Sequence, residues 1–252
     1  GVTVESGCDW ESGLFGEYHN RELLGQSKPL VSICIPTFNR SWYLQKTLDS
    51  IICQPEFESG LVEVVISDNC SSDDTEKIGT TYAEKYSMVR YFRNKKNIGG
   101  ANFNLALARA TGILRKLNND TCINAQGSLE YLCRMATKYN DIKPVMYFGN
   151  RPSQEGDNDN LLDLRTFLLR ESFHITWIAS FAIWDEDCEG IEYEYKDGEC
   201  LWQVRKIVEM AAKKKAVATC DKLIMAAVIA NKNYSGKWLW KVFHDDYFDI
   251  ID

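Results

Sequence analysis

The chain has 252 residues, of which 45% are hydrophobic and 26% are charged. This is ordinary globular composition with enough length to bury a sizeable core, so intrinsic disorder over most of the chain is excluded. The formal net charge is −7, from 29 basic and 36 acidic residues. A binder of duplex nucleic acid needs a basic excess to replace phosphate counterions, so the charge balance argues against that class.

Cysteine usage indicates a reduced compartment, and hydropathy predicts no membrane-spanning segment. The nine cysteines are scattered singly with no CxxC pair, which supports neither a structural zinc site nor a thioredoxin motif. The longest apolar run, Leu223 to Ala230, is far shorter than the roughly 20 residues that span a bilayer. The N-terminus also lacks the layout of a secretion signal. We therefore expect a cytoplasmic protein that at most rests on the inner face of a membrane.

Hydrophobic patterning divides the first half into alternating strands and helices. After an irregular N-terminal arm over residues 1–28, Leu30 to Ile35 is a β-branched run closed by Pro36, typical of a buried parallel strand. The elements predicted after it are a helix from Ser41, a strand over Leu61 to Ser67, a helix capped by Ser72 or Asp73 and ending near Tyr86, a strand over Val89 to Phe92, a helix over Asn102 to Ala110, and a strand over Ile113 to Leu117. This order predicts a right-handed parallel sheet, in which ligands bind outside the carboxyl ends of the strands.

The second half is less regular. Its predicted elements are a strand over Val145 to Asn150, a polar loop over Arg151 to Asn160, a helix over Leu161 to Arg170, a strand over Ile175 to Trp184 and an amphipathic helix over Leu201 to Lys214. The aromatic segment Lys237 to Phe243 is interpreted as a helix packed on the rest of the domain, and the alternative is a helix lying in a membrane interface.

Polar clusters follow three of the predicted parallel strands. Pro36 to Arg40 lies where a strand meets a helix N-terminus, where free backbone N–H groups favour anions; an ordinary loop capped by Thr37 is the alternative. Asp68 ends the second strand and can accept hydrogen bonds from a base N–H or ribose hydroxyls, or it can cap the next helix. Asn118 to Asp120 follows the fourth strand, and Asp120 is its one carboxylate for a hard divalent cation; a polar turn is the alternative.

The order and spacing of these clusters resemble those of glycosyltransferase family 2. VSICIPTFNR over Val31 to Arg40 resembles the opening strand of that family, and VVISDNCSSDDT over Val64 to Thr75 resembles its VVxDDxSxDxT segment. NIGGAN over Asn97 to Asn102 resembles its NxGxxxN turn, and Leu117 to Asp120 falls where the family has its DxD. The resemblance covers about Lys28 to Ile123 and is specific, because four motifs appear in order.

The resemblance implies a GT-A fold, which is a mainly parallel, Rossmann-like α/β sheet flanked by helices with a smaller acceptor-side region in the second half. It also implies an inverting mechanism, with Mn²⁺ or Mg²⁺ as cofactor held by Asp120, and contacts from Thr37 and Asp68 to the nucleoside. The implied donor-binding residues are Pro36, Thr37, Asn39, Arg40, Asp68, Asn97, Gly99 and Asn118. Asn118 departs from the family, which has Asp there, so we expect weaker metal affinity.

Inverting transfer needs a carboxylate that removes the proton from the acceptor hydroxyl. The family usually has a Glu-Asp pair before a helix, and Asp197-Gly198-Glu199-Cys200 resembles that position, although Cys200 stands where the usual Asp would be. Glu199 is the first candidate for the base and Asp197 is the second. Asp187, in the acidic group that follows Trp184, is the third. A solvated acidic loop is the alternative for both groups.

We therefore expect one continuous catalytic domain, with a nucleotide-sugar-binding half over residues 29–123 and an acceptor-binding half with C-terminal helices over residues 124–252. The predicted function is transfer of a sugar from a nucleotide-diphosphate sugar to a carbohydrate or lipid-linked glycan, in surface polysaccharide synthesis. A non-catalytic nucleotide-sugar or glycan-binding module stays open, as does a sugar nucleotidyltransferase, although Pro36 to Arg40 lacks the glycines typical of the latter. A dehydrogenase is disfavoured because no GxGxxG follows the first strand.

Overall fold

The structure, a computed structural model, describes residues 28–151, 158–196 and 199–228. The strands in these ranges are β1 (Val31–Thr37), β2 (Val62–Asp68), β3 (Val89–Arg93), β4 (Leu114–Leu117), β5 (Cys122–Asn124), β6 (Val145–Phe148), β7 (Asn158–Leu162), β8 (Phe181–Trp184), β9 (Val217–Asp221) and β10 (Met225–Val228). The helices are α1 (Ser41–Ile52), α2 (Pro55–Glu58), α3 (Thr75–Lys85), α4 (Ala101–Ala108), α5 (Ser128–Tyr139), α6 (Leu164–Glu171) and α7 (Trp202–Lys214). The predicted arm before Lys28 and the predicted helix over Lys237 to Phe243 lie outside the described residues.

Eight strands form the central sheet in the order β3-β2-β1-β4-β8-β6-β9-β7. The first four are parallel to one another, which confirms the sheet predicted from the alternating pattern. β8 is antiparallel to both of its neighbours, β4 and β6, and β9 is parallel to β6. Consequently β6 and β9 point the same way as β1, whereas β8 points the opposite way.

The inner strands β1, β2, β6 and β8 are buried along their whole length, which explains why they are largely apolar in sequence. Side chains alternate between the faces along β1, so Ile33 and Ile35 join one core and Cys34 joins the other. The first core is covered by α1, α3 and α5, and the second by α4 and α7. Burying one such aliphatic side chain stabilises the fold by about 1.5–3 kcal/mol. The mixed α/β fold expected from the sequence is therefore confirmed.

Two predicted elements of the second half were wrong in part. Of the strand predicted over Ile175 to Trp184, only Phe181–Trp184 is extended, and 3-10 turns precede it at Ser172–Thr176 and Ile178–Ser180. The hydroxyls of Thr176 and Ser180 each bond to a carbonyl three residues back, which favours tight turns over an extended strand.

The helix predicted from Leu161 begins later, at Leu164, because Asp163 caps it by accepting a bond from the Thr166 amide at 3.0 Å. Residues 158–162, partly predicted as polar loop, form the edge strand β7 instead. The predicted strand from Val145 and the predicted helix from Leu201 are confirmed, each to within two residues of its ends. The helix α5 and the strands β5, β9 and β10 were not among the elements expected from the sequence.

A second, two-stranded sheet joins β5 to β10 in antiparallel fashion. It follows directly after Asp120 and packs beside α1, where Ser50 Oγ accepts a bond from the Asn124 amide at 3.0 Å. This small sheet holds the residues that directly follow Asp120 in the sequence against α1. Among the described residues, no helix combines the length and apolar character needed to cross a bilayer.

Candidate active site

The carboxyl ends of β1, β2 and β4 meet at one side of the sheet, which we call the carboxyl edge and define by Thr37, Asp68 and Asn118. Thr37 lies directly beside Asp68 in the parallel register of β1 and β2. On the other side of β1, the main-chain N–H of Asn118 donates to the Cys34 carbonyl at 2.8 Å. Three polar clusters that lie far apart in the sequence are therefore neighbours, as expected for a parallel sheet.

Asp120 is at the centre of the carboxyl edge and is buried. Its Oδ2 accepts a hydrogen bond from Thr37 Oγ1 at 2.8 Å, and its Oδ1 accepts one from Arg40 Nη1 at 2.8 Å. Thr47 Oγ1, on α1, donates to its main-chain carbonyl at 2.9 Å. Burial raises the pKa of the Asp120 carboxyl, although Arg40 and Thr37 both oppose the rise. Any ligand of Asp120 must therefore share or displace these partners.

Asp68 lies deeper than the sequence analysis expected. Its side chain is fully buried, and its Oδ1 accepts bonds from the Ser71 amide at 2.9 Å and the Ser71 hydroxyl at 2.5 Å. Its Oδ2 accepts a bond from the Tyr91 hydroxyl at 2.6 Å. These bonds fix the loop after β2. Asp68 thus positions its neighbours, and direct contact with a nucleoside stays a prediction that this burial disfavours.

The next residue, Asn69, holds the turn that begins at Asn97. Asn69 Nδ2 donates to Asn97 Oδ1 at 2.8 Å and to the Gly99 carbonyl at 3.2 Å, and its Oδ1 accepts a bond from the Ile98 amide at 2.9 Å. Gly99 has a positive φ of 59°, a conformation that favours glycine. Asn97 and Gly99 are both exposed, so the turn presents the polar surface that the sequence predicted at this edge.

Below the turn lies a buried network that the sequence analysis missed. Asn102 accepts bonds from Ser67 Oγ at 2.7 Å and from Asn94 Nδ2 at 2.9 Å, and it donates to the Ser67 carbonyl at 2.7 Å. Arg109 donates to Ser67 Oγ at 2.6 Å and to Asn94 Oδ1 at 2.8 Å. Asn102 is the last residue of the NIGGAN motif. The motif marks Asn102 in the sequence, but it does not predict which residues Asn102 bonds to. The network anchors α4 to the ends of β2 and β3.

The first loop is tied to the second through Asn39. Asn39 has a positive φ of 52°, its amide donates to Ser71 Oγ at 2.9 Å, and its Oδ1 accepts a bond from the Ser72 amide at 2.7 Å. Pro36 is buried inside β1, so it shapes the strand and is not accessible. Between them Phe38 is 41% exposed, an accessible aromatic side chain at the carboxyl edge that the sequence analysis did not assign.

The candidate bases lie at different edges of the sheet. Because β8 runs antiparallel to β4, the acidic group after Trp184 lies at the amino ends of the parallel strands; the Asp185 amide bonds to the Ile113 carbonyl at 2.8 Å. There Asp187 is paired with Lys214 at 2.7 Å. The structure therefore does not bring Asp187 to the carboxyl edge. Asp197 lies outside the described residues.

Glu199 is close to the carboxyl edge. Tyr195 donates from its hydroxyl to the Glu199 carbonyl at 3.0 Å, and its ring lies so close to Gly100 that a Cβ there would come within 2.7 Å of the ring. Gly100 is the N-cap residue of α4, at the end of the NIGG turn. The Glu199 carboxylate is held by Arg205 at 2.6 and 3.1 Å, and these bonds raise the pKa of the Arg205 guanidinium. Glu199 is thus connected to the turn at Gly100 through Tyr195, and its carboxylate is already paired with Arg205.

The residues present fit a divalent cation that is shared with a phosphate ligand. In the described part of the chain, no three histidine, cysteine or acidic side chains cluster closely enough to hold a metal alone. Asp120 provides one carboxylate, and the side-chain oxygens of Asn118 and Asn119 are buried without a hydrogen-bond partner. Mg²⁺-like ions are commonly held by one or two carboxylates plus substrate phosphates. The oxygen-only donor set matches that mode of binding.

A sheet whose parallel strands end in polar loops at one side, with a carboxylate after β4, is the architecture of an α/β domain that binds its ligand at the carboxyl ends of the strands. The model of the family "Glycosyl transferase family 2" matches residues 32–184, more than half of the chain. The chain therefore belongs to glycosyl transferase family 2, and the resemblance noted in the sequence is confirmed.

Curated relatives match parts of the chain. It is 40% identical over 85 residues to the abequosyltransferase RfbV of Salmonella typhimurium, which is 33% of this chain and 25% of that protein. It is 31% identical over 112 residues to the GalNAc(5)-diNAcBac-PP-undecaprenol beta-1,3-glucosyltransferase of Campylobacter jejuni, covering 44% of this chain and 35% of that protein. The chain thus spans only about a quarter to a third of the length of these relatives.

Solved structures share the fold at low identity. The mannosyltransferase PcManGT of Pyrobaculum calidifontis, in complex with GDP-Man and Mn²⁺, has a TM-score of 0.58 at 18% identity over 82% of this chain and 59% of that chain. The glucosyl-3-phosphoglycerate synthase of Mycobacterium tuberculosis, with Mn²⁺ and UDP-glucose, has a TM-score of 0.54 at 15% identity over 88% and 78%. These similarities confirm the GT-A fold.

Proposed function

We propose that this protein transfers a sugar from a nucleotide-diphosphate sugar to a glycan acceptor, with inversion at the transferred carbon. The observation that carries the proposal is the bonded cluster of Asp120, Thr37 and Arg40 at the carboxyl edge, beside the turn that Asn69 holds. A diphosphate needs cationic partners and oxygen-bound metal at one place, and the nucleoside needs polar groups close by. This edge offers both.

Each donor-side residue has a distinct role in the proposal. Asp120 would hold Mn²⁺ or Mg²⁺, which when bound neutralises the charge of the leaving diphosphate. Arg40 is half-buried beside it, and its guanidinium supplies a permanent positive charge for the same diphosphate. Phe38 offers an exposed aromatic face for a nucleobase, since base–aromatic stacking tolerates different bases. Asn97 and Gly99 form the polar turn that Asn69 joins to the end of β2.

The acceptor side rests on Glu199. Direct displacement requires a carboxylate that accepts the proton of the acceptor hydroxyl as the bond to the donor sugar breaks. The Tyr195 ring lies against Gly100, and its hydroxyl bonds to the Glu199 main-chain carbonyl. Arg205 fixes the orientation of the Glu199 carboxylate. Asp187 is not part of the proposal, because it lies at the opposite edge. Asp197 remains a candidate that the described residues leave open.

The acceptor is proposed to be a carbohydrate or a lipid-linked glycan, in the synthesis of a surface polysaccharide. The support is the name of the Campylobacter relative, which acts on an undecaprenol-linked glycan. A protein with such an acceptor would work at the inner face of a membrane, held there by peripheral contact. Flotation with liposomes that carry an undecaprenyl-diphosphate-linked glycan, compared with plain liposomes, tests this part.

The direct test of function is turnover with a panel of UDP-, GDP- and dTDP-sugars in the presence of Mn²⁺. We expect hydrolysis or transfer from at least one donor, lost on addition of EDTA. Sugar release that is equal in the wild type and in Asp120→Asn would contradict the proposal, because it would not depend on the site.

A non-catalytic nucleotide-sugar-binding module is the second candidate. The ion pair between Arg205 and Glu199 favours it, because both oxygens of the Glu199 carboxylate already accept bonds from Arg205, so an acceptor hydroxyl would have to compete with that guanidinium. The two functions separate in one experiment: a binding module gives Asp120-dependent nucleotide binding by calorimetry, with no donor hydrolysis in the presence of any acceptor.

A further inference from the structure

The Arg40–Asp120 ion pair lies where the proposed function needs a metal. Both carboxylate oxygens of Asp120 already accept hydrogen bonds, one from Arg40 and one from Thr37, each at 2.8 Å. The Asp120 side chain is only 3% exposed, whereas that of Arg40 is 36% exposed. Arg40 therefore occupies one side of Asp120 Oδ1, and a cation that binds this oxygen is repelled by the adjacent guanidinium unless Arg40 moves away.

The net charge at the carboxyl edge also disfavours the binding of a cation alone. Asn118 is neutral at the position where the family pattern has Asp, so it adds no negative charge. Within the described residues no cluster of three potential metal ligands lies at this edge. Arg40 and Asp120 cancel one another, and a divalent cation that arrives alone meets a site of roughly zero net charge. A nucleoside diphosphate brings the negative charge that is missing.

We propose that Arg40 competes with the divalent cation for Asp120, so that the metal binds only together with the diphosphate, to which Arg40 then turns. This inference rests on the proposed function and deepens it, because it assigns an order to the assembly of the site. Metal and nucleotide bind with strong positive coupling, and by thermodynamic reciprocity each raises the affinity for the other by the same factor.

The local structure allows this exchange. Arg40 precedes the first residue of α1, and its long side chain is exposed over about a third of its surface, so its guanidinium can move without unfolding the helix. Its planar donors match a diphosphate as well as they match a carboxylate. Thr37 is short and buried, and it keeps its bond to Oδ2, which holds the carboxylate in place while Oδ1 changes partner.

The test measures Mn²⁺ binding, not activity. Free Mn²⁺ is followed by its EPR signal in titrations of the wild type and of Arg40→Gln, each with and without UDP, and in parallel with and without GDP. We expect the free wild type to bind Mn²⁺ weakly. Arg40→Gln should bind Mn²⁺ at least about tenfold more tightly without nucleotide, the order expected when a charged hydrogen-bond partner is removed. The enhancement of Mn²⁺ binding by nucleotide should shrink in the same variant.

The chain offers a matched control. Arg90 pairs with Glu63 and has the same exposures as the Arg40–Asp120 pair, 36% and 3%, but the pair lies toward the amino ends of β2 and β3. Arg90→Gln changes the net charge equally and should leave Mn²⁺ affinity unchanged. Adding Asp120→Asn to Arg40→Gln should abolish the gained affinity, which locates it at Asp120.

Three results would overturn the inference: equal Mn²⁺ affinity in Arg40→Gln and the wild type, an equal gain in Arg90→Gln, or a gain that survives Asp120→Asn. Absence of Mn²⁺ binding in Arg40→Gln even with nucleotide would also overturn it. The proposed function fails separately. If Arg40→Gln gains metal affinity as expected but no donor sugar is transferred or hydrolysed by the wild type, the inference stands and the catalytic function does not.

Discussion

The loop after β4 and the loop after β8 each contain an aspartate proposed for the site, yet they lie at opposite edges of the same sheet. Asp120 follows a strand parallel to β1 and reaches Thr37 and Arg40, whereas Asp187 follows an antiparallel strand and reaches Lys214. Both carboxylates are paired with a basic side chain, so local charge does not distinguish them. Strand direction does. An acidic residue at the end of a strand is a candidate for the site only when that strand runs with the others.

The largest expected effect tests this comparison directly. Asp120→Asn should lower metal-dependent nucleotide affinity by at least about 100-fold, because changes even in residues around metal ligands cost 10–100-fold. Asp187→Asn should leave that affinity within about twofold of the wild type. Calorimetric titration with UDP and GDP in the presence of Mn²⁺ measures both. If Asp187→Asn loses this nucleotide affinity while its thermal unfolding curve stays normal, the site does not lie at the carboxyl edge.

A smaller effect is expected in turnover on the acceptor side. Glu199→Gln removes basicity and keeps the shape, so it should lower kcat by about 10²–10⁴-fold while donor binding changes little. Glu209→Gln is the matched control, since Glu209 pairs with the same Arg205 at 2.9 Å on the exposed surface of α7. Equal turnover in the two variants would remove Glu199 from the mechanism and leave Asp197 as the candidate.

The smallest expected effect concerns stability, at a residue that links the two regions. Lys116 on β4 is fully buried and donates to the Ala179 carbonyl at 2.6 Å, just before β8, and burial lowers its pKa to about 8. Between pH 8 and the ordinary lysine pKa of 10.5, the unfolded chain holds a proton that the folded chain has released. The free energy of unfolding should therefore rise with pH in this window, by about 3 kcal/mol in full.

The contribution of Lys116 is isolated by comparison with Lys116→Met, which should lack this rise. Urea unfolding of both proteins at pH 7.5, 9 and 10 gives the difference, and Lys77→Met, at an exposed position of α3, controls for loss of charge. Parallel curves for the wild type and Lys116→Met across this range would mean that Lys116 stays protonated in the folded protein.

Much of the donor side was predictable because its strands are consecutive and parallel. The apolar runs that precede Thr37, Asp68 and Asn118 fix the sheet, and each polar cluster then falls at the same edge. The choice between Asp68 and Asn69 was not predictable, since adjacent residues point to opposite sides and only the folded loop decides which one faces the turn.

The acceptor side was less accessible to sequence analysis for physical reasons. The direction of β8 depends on which neighbour it pairs with, and Phe181–Trp184 carries no local mark of that choice. The bond from Arg40 to Asp120 joins residues that are 80 positions apart, so it follows from tertiary packing and from no local pattern. The segment before β8 also looks extended by composition, but the hydroxyls of Thr176 and Ser180 turn it into tight turns.

The contact between Tyr195 and Gly100 has a consequence for the evolution of the family. A methyl group at position 100 would come within 2.7 Å of the outer end of the Tyr195 ring, so a larger residue at position 100 requires the Tyr195 side chain to shift or to be smaller. Relatives that carry alanine or a larger residue at the position of Gly100 should therefore have a smaller or a displaced side chain at the position of Tyr195. Covariation of this pair in aligned family members would record, in sequence alone, that the turn and the segment before α7 have been packed against each other throughout divergence.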